Sequence, residues 1–242
     1  MYKRIVIKLS GEALSGANSN SDSNGNGNLY DTTIIDNIIA DIKYLTDKGV
    51  QICLAIGGGN IWRGRNADHI DKTKADQMGM LATVINSMYL CERLIAAGQT
   101  AQVFTPFSVG TFTTPYSKEA AERTLKDGGV VIFGGGLGHP FFSTDTVPVL
   151  RACELNCDCV FFAKNINGVY DKNPITHPDA VRYKSLTYRE IIEQNFEVID
   201  IAAMVLCENN NIPSIVFSLT EAGSIRRAAL DKDSDVGTII SV

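Results

Sequence analysis

Three short apolar runs of this chain break off into glycine, and each brings polar or charged side chains to the same point. The first reads Ile7-Lys8-Leu9-Ser10-Gly11-Glu12, the second Ala55-Ile56-Gly57-Gly58-Gly59-Asn60-Ile61-Trp62-Arg63-Gly64. The third runs from Ile132-Phe133-Gly134-Gly135-Gly136-Leu137-Gly138 through His139-Pro140-Phe141-Phe142-Ser143-Thr144 to Asp145. Glycine lets backbone N–H groups come close to an anion, and Lys8 and Arg63 add fixed positive charge. One glycine triplet signals only a tight turn. Three glycine-bearing turns, two of them triplets, with two cations point to a site for a polyanion such as a phosphate chain. The chemistry suited to such a site is phosphoryl transfer. Its task is to bring two anions together and stabilise charge on the group in flight, with little proton movement.

Absences narrow the class. No glycine is followed by lysine, so the G-x-x-x-x-G-K-[ST] phosphate loop is missing. Neither H-R-D nor D-F-G occurs, which excludes a protein kinase. No G-x-G-x-x-G follows the first run, against a nicotinamide dehydrogenase, and no G-x-S-x-G elbow is present, against an esterase.

The elements that must position these residues alternate along the chain. Arg4–Leu9, Gln51–Ile56, Gln102–Phe107, Val130–Phe133, Asp158–Ala163 and Pro213–Phe217 have the length and β-branched character of buried strands. Helical spacing marks Thr32–Lys48, with Asp31 as N-cap and Gly49 as stop, and also Gly79–Ala97, Ser117–Asp127 and Asp145–Leu155. A capping box, Thr187-x-x-Glu190, opens a short helix, and Ile201–Asn209 and Glu221–Leu230 complete the set. This alternation predicts an α/β fold over residues 1–242: a single-domain, three-layer α/β/α sandwich with an open, mostly parallel central sheet. Ligands of such sheets bind beyond the carboxyl ends of the strands, where the glycine turns lie. Ser15–Asn28, with five Asn, four Ser and three Gly, is too polar to pack and is expected to be a mobile loop.

Composition fits an ordinary globular protein, with 45% hydrophobic and 20% charged residues among 242. A net charge of −5 argues against a nucleic-acid partner. No apolar run reaches the roughly 20 residues of a membrane span, and no signal peptide is evident, so a cytoplasmic protein without a membrane partner is expected. Cys53, Cys91, Cys153, Cys157, Cys159 and Cys207 lack paired C-x2-C knuckles. They read as reduced, mostly buried thiols and not as a zinc site.

Taken together, Lys8-Leu-Ser-Gly-Glu-Ala-Leu14, Gly57-Gly-Gly-Asn-Ile-Trp-Arg63, Asp76-Gln-Met-Gly-Met-Leu-Ala-Thr83 and Pro140-Phe-Phe-Ser-Thr-Asp145 resemble the bacterial uridylate kinases, of the amino acid kinase superfamily. The likeness continues through Asn167-Gly-Val-Tyr170, Leu186-Thr-Tyr188, Val198-Ile-Asp200 and Gly237-Thr-Ile-Ile240, and so spans the chain. The resemblance implies transfer of the γ-phosphoryl group of ATP to UMP, giving UDP for pyrimidine nucleotide and CTP biosynthesis. Mg2+ would be carried mainly by the nucleotide phosphates. It also implies a homohexamer and allosteric inhibition by UTP.

By the same resemblance Lys8 neutralises the ATP phosphates, with Leu9, Ser10 and Gly11 at close backbone approach. Gly58, Gly59 and Arg63 lie between donor and acceptor phosphates. Lys164, Asn165, Tyr170 and Asn173 belong to the ATP side, Tyr170 as a neighbour of adenine. Asp76 takes the ribose hydroxyls of UMP. Leu137, Gly138, His139, Pro140, Phe141, Phe142, Ser143 and Thr144 wrap the uracil and acceptor phosphate, largely through backbone groups. Asp145 and Asp158 hold the metal and organise the cations.

Simpler duties compete with several of these. Asp76 and Asp145 also suit helix N-caps, Asp158 a turn, Trp62 loop packing, and Met78, Met80 and Met88 core packing. Departures from the family pattern are Leu137 and His139, where relatives commonly carry Thr and Asn, and Asn167 and Asn173, where aspartates are frequent. Two rivals stand beside the resemblance. One is a superfamily member phosphorylating a carboxylate or carbamate, which has no need of the Asp76 loop. The other is a non-catalytic nucleotide-binding protein, which has no need of Lys8 or Arg63.

Overall fold

The period of two along a strand decides which face of the sheet each side chain takes. The computed structural model describes residues 1–15, 29–63, 69–231 and 235–242. The polar segment expected as a loop lies, apart from Ser15, outside the described residues. The strands are β1 (Arg4–Leu9), β2 (Gln51–Ile56), β3 (Ala101–Thr105), β4 (Thr114–Pro115), β5 (Val130–Phe133), β6 (Cys159–Lys164), β7 (Ser185–Thr187), β8 (Ser214–Ser218) and β9 (Gly237–Ser241). Among the described residues they form one sheet in the order β4-β3-β5-β2-β1-β6-β8-β9-β7. Every pairing is parallel except β8 with β9. The helices are α1 (Gly11–Leu14), α2 (Thr32–Asp47), α3 (Lys72–Ala96), α4 (Lys118–Lys126), α5 (Thr146–Leu155), α6 (Tyr188–Glu193), α7 (Ile201–Asn209) and α8 (Ser224–Leu230).

Two cores result, one on each face. In β1, Ile5, Ile7 and Leu9 face α2, α3 and α8, while Val6 faces α4, α5, α6 and α7. In β6, Phe161 and Ala163 take the first face, Val160 and Phe162 the second. This is the expected three-layer α/β/α sandwich. Lys8 follows Val6 in alternation, and Lys164 follows Phe162. Both therefore emerge at the carboxyl end of the sheet on the side covered by α5. Lys8 is registered with Phe162 on the neighbouring strand, which makes Lys164 its diagonal neighbour.

Several boundaries shift for identifiable reasons. The third strand ends at Thr105 instead of Phe107, since Pro106 has no N–H to extend a ladder. Helix α3 begins at Lys72, seven residues before the expected Gly79. The Asp71 side chain caps it by accepting from Lys74 N at 3.2 Å. That first stretch (Lys72, Thr73, Lys74, Asp76, Gln77) is polar all round and carries no periodic signal. Asp31 caps α2 as expected, accepting from Thr33 N at 2.9 Å and Ile34 N at 3.2 Å. The capping box at Thr187 and Glu190 is present. The last helix starts at Ser224, not Glu221. The short strands β4 and β7, and the antiparallel β9, are additions to the expected set.

Candidate active site

At the carboxyl end of β1 and β6 a carboxylate lies between two ammonium groups. Asp145 Oδ1 is 3.0 Å from Lys8 Nζ, and Oδ2 is 3.3 Å from Lys164 Nζ. Side chains of Lys8 and Asp145 are each 9% exposed and that of Lys164 is 22% exposed. Lys164 also donates to the Val198 carbonyl. Burial pushes the Asp145 carboxyl up, but the two ammonium groups outweigh it and hold the group below its ordinary value. Burial pulls the Lys164 ammonium down, with Lys8 adding to that and Asp145 opposing it, and the net result lies below the usual lysine value. Asp145 occupies the N-cap position of α5, yet its side chain makes no capping bond. Its capacity is turned to the lysines. The triad carries a net positive charge at neutral pH and faces an open cleft of about 510 Å3.

The cleft walls are glycine turns packed at backbone-to-backbone distance. A Cβ on Gly11 would lie 2.6 Å from Gly59 N and 2.8 Å from Gly57 O, and one on Gly57 would lie 2.9 Å from Gly11 N. The turns after β1 and β2 thus touch in a way that excludes any side chain at these positions. Gly58 abuts α3, where a Cβ would meet Ala82 Cβ at 2.9 Å and Gly79 O at 3.0 Å. The turn after β5 takes positive φ at Gly135, Gly136 and Gly138 and again at Phe141 (69°). Thr83 of α3 fixes it by accepting from Gly135 N at 2.8 Å. Asp76, one turn into α3, accepts from Phe141 N at 2.8 Å, so this carboxylate ties the far wall of the cleft to the helix.

A model of the amino acid kinase family matches residues 3–218 of the chain. The chain belongs to the amino acid kinase family. Similar solved structures include the UMP kinase of Bacillus anthracis, 37% identical with a TM-score of 0.90, covering 99% of this chain and 96% of that one. The UMP kinase of Ureaplasma parvum is 32% identical with a TM-score of 0.89, and the two cover each other completely.

Within this amino acid kinase fold the cleft gathers most of the residues singled out from the sequence. Lys8, Ser10, Gly11, Gly58, Gly59, Asp76 and Asp145 line it, as do Leu137, His139, Phe142, Ser143, Thr144, Lys164 and Asn165. Gly138, Pro140 and Phe141 belong to the same loop without lining the cleft. Leu9 is fully buried in the core. Arg63 sits at the rim, its side chain 57% exposed, 3.4 Å from Glu12 and donating to Gly59 O at 3.2 Å. Tyr170 and Asn173 do not line the cleft. Tyr170 pairs its hydroxyl with Asn167, and Asn173 accepts from Ile175 N within its own turn.

One expectation is corrected outright. Asp158 precedes β6, so it lies at the amino ends of the strands, about 20 Å of extended chain from Lys164. Its carboxylate accepts from Arg4 N at 3.1 Å and Lys3 N at 2.5 Å. It ties β1 to β6 and takes no part in the site. The methionines are a second correction: none of Met78, Met80 and Met88 is buried, and Met80 lines the cleft. Trp62 both lines the cleft and packs, donating to Ala75 O at 2.9 Å. Glu12 and Thr83 are cleft residues to which the sequence assigned no role. The six thiols are free, five of them buried. No helix among the described residues is long and apolar enough to cross a membrane.

Proposed function

We propose that this chain phosphorylates UMP to UDP with ATP as donor, in pyrimidine nucleotide biosynthesis. The observation that carries the reading is the Lys8–Asp145–Lys164 triad, set on the floor of a cleft walled by three glycine turns. The UMP kinases of comparable fold support the choice of acceptor.

The residues divide the work by position. Lys8 and Lys164 meet the donor phosphates, and Asp145 between them keeps both side chains aimed. Gly58 and Gly59 bring backbone to the junction of donor and acceptor, where charge spreads over the group in flight. Arg63 reaches that junction from the rim by exchanging Glu12 for phosphate. Asp76 receives the ribose hydroxyls of UMP, and residues 137–144 enclose the base and acceptor phosphate through backbone groups. The acceptor oxygen is already ionised at neutral pH, so no general base is required.

The donor set fits a Mg2+ that travels with the nucleotide. Asp145 and Glu12 are cleft carboxylates already paired with cations, and no cluster of three or more metal-ligating side chains occurs among the described residues. When bound, the ion screens phosphate charge. A cytoplasmic, homohexameric enzyme inhibited by UTP completes the reading. The exposed apolar side chains of Leu81 and Ile85 on α3 support burial between copies. The test is a coupled ADP-release assay over UMP, CMP, TMP, aspartate and carbamate. Turnover on UMP at least about tenfold above that on CMP is expected, and turnover confined to aspartate or carbamate overturns the reading.

A further inference from the structure

The turn after β2 contains the peptide Gly57–Gly58, and neither residue has a Cβ to resist rotation of that peptide unit. Its direction must be set by a partner. That partner is Asn86 of α3, which is fully buried and donates from Nδ2 to Gly57 O at 2.7 Å. In a planar trans peptide the carbonyl and the next N–H point opposite ways. Drawing Gly57 O back onto Asn86 therefore turns the Gly58 N–H away from that side chain.

Asn86 is itself held with no freedom left. Its Nδ2 donates also to Asn60 Oδ1 at 2.7 Å, and its Oδ1 accepts from Tyr30 Oη at 2.8 Å and Asn60 Nδ2 at 3.3 Å. All four hydrogen-bonding positions of the amide are used, which fixes which end is oxygen and which is nitrogen. Asn60 Nδ2 further donates to Leu29 O at 3.0 Å, and the Tyr30 ring stacks on Tyr89 at 3.8 Å. A fully connected polar network in the interior has one low-energy arrangement.

We propose that Asn86 is a positioning residue for phosphoryl transfer: it locks the Gly57–Gly58 peptide in one orientation, so that the Gly58 N–H is preset toward charge developing on the transferred group. The proposal rests on the kinase reading above. Asn86 touches no substrate, since Gly57 lies between it and the cleft.

Replacing Asn86 with Asp keeps the shape and the acceptor for Tyr30, but sets a carboxylate oxygen against the Gly57 carbonyl and favours the flipped peptide. In purified full-length Asn86→Asp, kcat on UMP and ATP is expected to fall by about ten- to a hundredfold, the effect of misplacing one preorganised donor. Both KM values should stay within about threefold, because the donor acts on the transition state and not on the bound ground state. A merely structural role would lower the melting temperature and leave kcat of the folded enzyme unchanged. Asn60→Ala, at a partly exposed position, is the second variant. It loosens Asn86 without adding charge and is expected to lower kcat by about fivefold or more at near-normal KM. Folded Asn86→Asp with kcat within threefold of the parent overturns the proposal, as does a change confined to KM. Should Asn86→Asp not fold, an unchanged kcat in Asn60→Ala overturns it instead. Parent enzyme that fails to turn over UMP refutes the kinase reading and is thereby distinguished from failure of this one.

Discussion

Substituting Asp145 by Asn removes the one negative charge of the triad while preserving its volume. Lys8 and Lys164 lose the carboxylate that lay 3.0 and 3.3 Å from them and are left to repel each other across a neutral amide. Removing one member of a buried ion pair costs about 3–5 kcal/mol by direct precedent. Lys164 is partly solvated, so the lower figure applies: about 3 kcal/mol. In a chain of this size each kcal/mol moves the melting temperature by about 2–4 °C, so a fall of about 6–12 °C at pH 7.5 is expected. The pH dependence follows from the two shifts. Asp145 has a folded value below its unfolded value. Its contribution is complete above the ordinary carboxylate range and is lost as pH falls through the folded value. The melting gap between parent and Asp145→Asn should therefore close in acid. Lys164, depressed in the fold, acts in the other direction. Its cost is complete at low pH and is relieved as pH rises from the folded value toward the unfolded one, so alkaline pH should recover part of the variant's stability. Millimolar ATP supplies the missing negative charge and should raise the variant's melting temperature more than the parent's. Thermal melts from pH 3 to 9.5, with and without nucleotide, measure all three. A variant within 2 °C of the parent at pH 7.5, or a gap that stays open in acid, would refute the charge argument.

Lys8→Met is expected to lower kcat by about 2–4 kcal/mol of transition-state stabilisation while the protein remains folded; steady-state kinetics decide, and a third of parental activity is too much. Asp76→Asn should raise KM for UMP more than for ATP, because the amide keeps one acceptor for Phe141 N but loses the ionised oxygen available to ribose hydroxyls. If ATP suffers instead, the two sites are reversed. Gly11→Ala puts a methyl 2.6 Å from Gly59 N and 2.8 Å from both Gly57 O and Asn60 Oδ1. Overpacking of about 1–3 kcal/mol should appear in a urea melt, and an unchanged midpoint would show that the turns can part. The parent should prefer UMP over CMP by at least about tenfold in kcat/KM, since a donor facing the uracil carbonyl meets another donor in cytosine and strands both. The ratio should survive His139→Asn; a ratio that collapses only in that variant would assign the reading of the base to the imidazole.

Chain direction explains both what was legible in the sequence and what was missed. Lys8 and the first two glycine turns follow apolar runs, so a parallel sheet must deliver them to one edge. The strand alternation then sends Lys8 and Lys164 to one face, whose covering helix begins at Asp145. Asp158 precedes its run and belongs by the same rule to the other edge; parallel topology alone would have removed it from the site. Arg63, Tyr170 and Asn173 are a different case, because they lie on turns whose course no periodicity sets. Thr83 and Asn86 carried a signal that was available. In α3 they share the buried stripe of Leu90 and Leu94 at helical spacing, and a polar side chain inside an apolar stripe must find a partner or lose stability. Their partners turn out to be Gly135 N and Gly57 O, one on each wall of the cleft. Helix α3 thereby references two turns of the site to a single rigid body. The distance between the two cleft walls then depends on side chains three residues apart on one helix, and not on the loops themselves.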